Sequence, residues 1–216
     1  MEWANDHRSV SARFCEAYHL PFEGRNYVFA QDINSLTTVY DAVRPRQSLV
    51  LGTYLVHRYR TKVVHKTFLE LGAGTGLPSV LLATAGAAKV VVTDLGPVLS
   101  PLSQSVGQNC ASSINIEVKE YAWGDDPQAL AGPFDVIMAS DVVYDFDYFP
   151  HFVRSLKALA GPKTEVFVGF RQRYRDVEEW FFQEVGKDFE AWEVCERYEP
   201  YSLPNIRLFE LRRLPI

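Results

Sequence analysis

The sequence has little sulfur, no metal-ligand pattern and no long apolar run. Its 216 residues include three cysteines and two methionines. Cys15, Cys110 and Cys195 lie far apart, with no C-x-x-C pair. That excludes a disulfide scaffold and leaves reduced thiols, read as small buried hydrophobes. No stretch approaches the ~20 apolar residues that cross a bilayer, so no membrane-spanning helix is expected. Met1 to Arg8 lack the apolar core of a secretory signal, which leads to an expected cytoplasmic location, with the nucleus as a second one. The histidines His7, His19, His57, His65 and His151 have no ligand spacing with each other or with cysteine, and no metal is expected. There is no G-x-S-x-G elbow and no phosphate-binding P-loop, so serine-hydrolase and kinase readings have no support. A formal net charge of −5 argues against nucleic acid as partner and suits a basic or lysine-bearing one.

What is present centres on Phe68-Leu69-Glu70-Leu71-Gly72-Ala73-Gly74-Thr75-Gly76-Leu77-Pro78. An apolar run passes into a glycine-rich turn, and a helical apolar pattern follows until Gly86. Strand, tight turn, helix is the order of a nucleotide-binding unit, with the ligand beyond the strand's carboxyl end. A dinucleotide site wants G-x-G-x-x-G/A, and here the sixth position is Leu77 while the third glycine, Gly76, comes one residue early. The spacing is G-x-G-x-G preceded by an acid, Glu70. Lys89 to Asp94 is a β-branched run ending in a carboxylate, close to the ~20-residue offset of a ribose-binding acid. Asp94 can accept from ribose hydroxyls or cap the next helix.

At this length one α/β unit with a sizeable core is expected. Strands are predicted over 66–71, 88–93, 114–121, 134–139, 164–170, 191–197 and 206–212. Helices are predicted over 77–85, 97–110, 146–160 and 174–189, alternating with the strands as a doubly wound parallel sheet requires. Glu199 to Pro204 leaves room only for a turn, so the last strand should be antiparallel. Ahead of this unit come a short helix over Val10–Tyr18, a strand over Asn26–Ile33 outside the main sheet, and an amphipathic helix over Pro45–Tyr59. The organisation is an extension over 1–60 packed on a domain over 61–216.

Further candidates fall at the carboxyl ends of predicted strands, where ligands bind in open parallel sheets. Asp141 and Tyr144 follow the fourth strand; Asp141 sits in apolar company and needs a partner, a function or a capping role. Trp123 follows the third strand and offers a flat wall for an adenine, or packs under a turn, much as Trp180 and Trp192 are expected to pack within a helix and a strand. Arg171 to Arg175 form a substrate-facing lip or a solvated helix start. Tyr40, beside Asp41, is a site contact or a core anchor.

Taken together, Glu70-Leu71-Gly72-Ala73-Gly74-Thr75-Gly76-Leu77, Asp94, Trp123-Gly124 and Ser140-Asp141-Val142-Val143-Tyr144 resemble the seven-β-strand methyltransferases, and within them the methyltransferase-like 21 group of protein-lysine methyltransferases. The similarity runs from about Val39 to the C-terminus. It implies S-adenosylmethionine as cofactor, a Rossmann-like seven-stranded sheet, and a protein substrate, with chaperones and translation factors as its kinds. It implies that Gly72, Ala73 and Gly74 line the methionine portion, with Glu70 and Gly76 part of the same motif. It implies that Asp94 binds the ribose, that Trp123 and Ser140 lie along the nucleoside, and that Asp141 and Tyr144 face the lysine. Tyr40 stands where relatives carry Trp, and Val43 to Ser48 are unlike them. A monomer is expected. Methyl transfer to a small molecule, a nucleic acid or another side chain, and a cofactor-binding adaptor without catalysis, remain alternatives.

Overall fold

The structure is a computed structural model that describes residues 17–30, 46–143, 146–172, 175–195 and 205–215. A hairpin of β1 (Ala17–Phe22) and β2 (Arg25–Ala30) comes first, followed by α1 (Arg46–Arg58). Then come β3 (Thr67–Leu71), α2 (Leu77–Thr84), β4 (Lys89–Asp94), α3 (Leu99–Asn109) and β5 (Ile116–Glu120). The remainder is β6 (Val136–Ser140), α4 (Phe149–Leu159), β7 (Glu165–Arg171), α5 (Arg175–Val185), β8 (Phe189–Glu193) and β9 (Ile206–Arg213). Strands β3 to β9 form one seven-stranded sheet in the order β5-β4-β3-β6-β7-β9-β8. Pairing is parallel from β5 through β7, and β9 runs antiparallel to both β7 and β8. The chain winds outward from β3 in one direction and from β6 in the other, so the switch point lies between these two strands.

Runs such as Val90-Val91-Val92 form central strands because both faces of a parallel sheet are covered. Phe68, Val90, Val136, Met138 and Phe167 turn to the side of α1, α2 and the hairpin. Leu69, Val91, Ile137, Val166 and Val168 turn to α4 and α5. Helix α1 departs from the amphipathic expectation: all ten residues from Gln47 to Val56 are buried. It lies against α2 and the strands β6, β7 and β9. Its small and hydroxylated residues permit this. A Cβ on Gly52 would stand 3.0 Å from Pro78 Cα, and Thr53 Oγ1 donates to Leu49 O at 2.8 Å.

The elements match the predicted ones to within a few residues, with three corrections. The helix expected over Val10–Tyr18 is contradicted where it is described: Ala17 and Tyr18 open β1, and residues 10–16 lie outside the described residues. The period-two burial of Leu20, Phe22, Tyr27 and Phe29 across the Glu23-Gly24 turn is a hairpin pattern. The sixth strand of the sheet, β8, begins two residues early, and Trp192 on it is 51% exposed, its ring under the Arg212 guanidinium at 5.7 Å. Cys195 is exposed, while Cys110 is half-buried, which pushes its thiol up to about 11.

The hairpin, which stands apart from the main sheet as expected, is fastened by side chains of α3. Asn109 Oδ1 accepts from Val28 N at 2.8 Å, and its Nδ2 donates to Val28 O at 2.6 Å. Ser105 Oγ accepts from Ala30 N at 2.9 Å. Asn109 thus pairs with the edge of β2 as a neighbouring strand would. Asn109→Ala leaves two part-buried backbone groups without those partners. It should lower stability by about 1–3 kcal/mol in denaturant unfolding, with the sheet's secondary structure unchanged in circular dichroism.

Candidate active site

The turn after β3 carries three glycines in the left-handed region: Gly72 (φ 66°), Gly74 (φ 56°) and Gly76 (φ 72°). Each has a different neighbourhood. A Cβ on Gly76 would stand 2.5 Å from Leu102 Cδ1, so Gly76 is where α3 closes on the turn. A Cβ on Gly72 would meet Trp123 Cζ2 at 2.8 Å and Val142 Cγ1 at 3.5 Å. Gly74 has nothing within 4 Å of that position, so the turn opens there to free space. Ala73 is buried against Val92 and Leu102.

The turn is laced to the end of β4. Thr93 Oγ1 donates to Glu70 O at 2.7 Å, Ala73 N donates to Thr93 O at 3.0 Å, and Gly74 N donates to Asp94 Oδ2 at 2.7 Å. Asp94 Oδ1 accepts from Leu95 N at 2.7 Å. Burial raises the Asp94 carboxyl above its ordinary range, and the two amide bonds oppose that shift.

Glu70 lies fully inside, on the α2 face of β3. Helix α2 opens on Gly76, which has no side chain to cap it. The missing cap comes from the strand beneath: Glu70 Oε2 accepts from Ser79 N at 3.1 Å and from Ser79 Oγ at 2.5 Å. A carboxylate at a helix N-terminus also meets the positive end of the helix dipole. Glu70 Oε1 is buried without a hydrogen-bond partner. Burial pushes the Glu70 carboxyl from 4.5 up to about 8; the bonds from Ser79 oppose this and the Asp94 charge adds to it.

At the end of β6, Ser140 Oγ shares a buried 2.7 Å bond with Ser48 Oγ of α1. Asp141 follows in the left-handed region (φ 59°), its N–H donating to Gly169 O at 2.7 Å. An aspartate with positive φ is uncommon, and such strain is held only where surrounding structure demands it. Val142, next in sequence, is the residue whose methyl reaches toward Gly72. Trp123 lies edge-on to Phe152 of α4 with ring centroids 5.0 Å apart.

Gly72, Gly74, Asp94, Trp123, Ser140 and Asp141 therefore converge on the carboxyl ends of β3 to β6, across the switch point. Glu70, Ala73 and Gly76 turn inward and build the turn. Tyr40 and Tyr144 lie outside the described residues. Two hydrogen-bond partners of the candidate site had no motif in the sequence: Ser79, which bonds Glu70, and Ser48, which bonds Ser140. Ser79 could have been found from its third-residue place after Gly76; Ser48 had no signal. Arg171 is exposed, and Arg175 pairs on α5 with Glu179 at 2.8 Å. Among the described residues there is no cluster of His, Cys, Asp and Glu able to hold a metal and no helix long and apolar enough to cross a membrane.

A family profile described as lysine methyltransferase matches residues 41–188, more than half of the chain. The chain belongs to the lysine methyltransferase family. A relative in this family, EEF1A lysine methyltransferase 3 of Xenopus tropicalis, is 32% identical over 61% of this chain and 58% of its own length. Protein N-lysine methyltransferase METTL21A of Danio rerio is 35% identical over 60% of this chain and 60% of its own length. The chain thus spans about three-fifths of these two relatives. The 16S rRNA N2 G1207 methyltransferase of T. thermophilus, solved with AdoMet and guanosine, superposes with a TM-score of 0.63 over 92% of this chain and 50% of that one. At 19% identity that likeness speaks for the fold.

Glu70 makes stability depend on pH. Its folded carboxyl titrates near 8 and its ordinary value is 4.5, so the folded state holds a proton that the unfolded chain releases. The associated stability is full below about pH 4.5 and is lost as pH rises to about 8, with a slope of up to ~1.4 kcal/mol per pH unit. Glu70→Gln keeps the shape without the proton and should flatten that slope in denaturant titrations run between pH 5 and pH 8.

Proposed function

We propose that this protein transfers a methyl group from S-adenosylmethionine to the side-chain nitrogen of a lysine in a protein substrate. The observation that carries the reading is Asp141, held in a strained conformation at the end of β6 and followed by Val142, whose methyl reaches toward Gly72 of the glycine turn, in a lysine methyltransferase family chain.

The residues present fit the cofactor. Free space stands over Gly74, where any other residue would project a side chain. The Asp94 carboxylate stands at the adjoining strand end with acceptor capacity beyond its two amide bonds, suited to ribose hydroxyls. The buried Glu70 carboxyl stiffens the turn from beneath through its bonds to Ser79. Gly72 and Gly74 would border the methionine portion, and the Trp123 ring and Ser140 would flank the nucleoside. Glu70, Ala73 and Gly76 would support them from below, and Tyr40 would add a contact from the preceding segment. When bound, S-adenosylmethionine supplies an activated methyl on a positively charged sulfonium, so the protein's task is alignment rather than activation.

The Asp94 carboxylate at the edge of the turn favours a cation there. A lysine amine has a reference pKa of ~10.4, so about one in a thousand is neutral near pH 7.4. Asp141 receives the incoming ammonium by a charge-assisted hydrogen bond and aims the nitrogen, and the proton departs to solvent. Tyr144 would shape the amine channel. The names of the frog and zebrafish relatives support a protein-lysine substrate, the former naming EEF1A. A monomer acting in the cytoplasm belongs to the same proposal.

The test compares wild type with Asp141→Asn, since asparagine tolerates positive φ and removes only the charge. Both are given labelled S-adenosylmethionine and whole-cell extract, followed by protease or nuclease. Protease-sensitive label that maps to lysine, reduced roughly 100-fold or more in the variant with cofactor affinity within two-fold of wild type, is the expected result. Label confined to nuclease-sensitive or small-molecule fractions would remove the protein-lysine reading.

A further inference from the structure

Three of the exposed large hydrophobic side chains, Leu95, Phe146 and Tyr148, lie just past strand ends at the site edge of the sheet. Two of them are aromatic and follow β6, the strand that leads into Asp141. Phe146 is 43% exposed and Tyr148 52% exposed. Phe146 is not a loose ring. It packs edge-on against Trp180 of α5 at 5.8 Å and against Phe149 of α4 at 6.4 Å, and Phe149 stacks on Trp180 at 5.3 Å. Three rings from two helices and the loop after β6 thus hold a surface that stays open to water. The same rings continue inward to the site. Phe149 meets Phe181 at 5.5 Å, Phe181 meets Phe152 at 6.3 Å, and Phe152 meets Trp123 at 5.0 Å. A rigid aromatic path therefore joins the exposed ledge to the wall of the candidate cofactor site.

The charge around the ledge is informative. Asp147 lies between the two exposed rings and Asp176 opens α5, both exposed. Among the described residues, Arg171 ends β7 and Arg175 opens α5, where it is engaged by Glu179. The exposed carboxylates between and beside the rings favour a cationic occupant, and aromatic faces accept cations as well as apolar stems.

We propose that Phe146, Tyr148 and Trp180, with Asp147 and Asp176 at their rim, form the docking ledge for the protein substrate, gripping a basic side chain close in the chain to the lysine that enters at Asp141. This rests on the proposed function and adds a sequence preference: the methylated lysine has a second lysine or arginine nearby. The ledge residues act on substrate binding, not on the methyl transfer itself.

The experiment uses the full chain, labelled S-adenosylmethionine and cell-extract protein as acceptor. The labelled acceptor is identified by mass spectrometry, purified and used for steady-state kinetics. Phe146→Ala should raise KM for that protein about 5- to 30-fold, with kcat and cofactor affinity within about two-fold of wild type. Phe146→Tyr should restore KM. Asp147→Lys combined with Asp176→Lys, both surface changes, should raise KM and abolish its increase with salt between 50 and 300 mM. An unchanged KM in Phe146→Ala, a methylated lysine flanked only by acids, or an unaltered salt response in the double variant would each overturn the ledge while leaving lysine methylation standing. Absence of protein label with wild type, or label in RNA, would overturn the underlying reading and the ledge with it.

Discussion

One buried carboxylate organises the carboxyl edge of this protein. Glu70 leaves the central strand on the side of the following helix and takes over a job that the helix's own first residue, a glycine, cannot perform. Its bonds to the Ser79 amide and hydroxyl fix where α2 begins relative to β3. Once that distance is set, the intervening residues have a single short path, and the left-handed glycines are the residues able to follow it. Removing a charge from water is costly, and the raised titration of Glu70 is the visible trace of that cost. The turn is stiff because its anchor is buried, and a stiff turn can present Gly74 to a ligand without an entropic loss on binding.

The second constraint is lateral. Thr93 and Asp94 tie the turn to the next strand, while Trp123 and Val142 close on Gly72 from either side. Four strands thus contribute to one small volume. Ser48 ties the start of α1 to the end of β6, so the segment ahead of the sheet joins the same edge. Asp141 lies one residue beyond this bond, and its unusual backbone angle follows from a strand that keeps pairing with β7 while the chain already turns away.

Much of this was legible in the sequence, for identifiable reasons. Spacing of glycines and the valine run ending in Asp94 report backbone geometry directly, so the strand, turn, helix order and the placement of Asp94 beside the turn follow from them. The lack of space for a helix between 197 and 206 was enough to foresee the antiparallel last pair. Burial on a given face was less legible. Glu70 reads as an acid beside a ligand loop, and only the pleat, which puts Phe68 and Glu70 on the same side of β3, sends its side chain under α2. Helix α1 reads as amphipathic because its polar positions, Gln47, Ser48 and Thr53, look like a solvent face. Two of them meet hydroxyl or carbonyl partners inside the protein. The strand β1 was missed because its alternation covers only six residues, with His19 and Pro21 on the outer side.

The two ends of the sheet carry a consequence of a different kind. An open sheet exposes unpaired backbone groups on its outermost strands, and here these are β5 and β8. Both are short and both are dressed with charge. On β5, Glu117 bridges Lys89 and Lys119; on β8, Glu193 holds Arg207 through two contacts, at 3.0 and 2.7 Å, and Trp192 is covered by Arg212. A second molecule seeking to add a strand there would have to strip those ions of water and break the pairs first. The cation over Trp192 therefore sets a charge against the exposed indole at the rim of the sheet, where an apolar edge would otherwise invite a second strand.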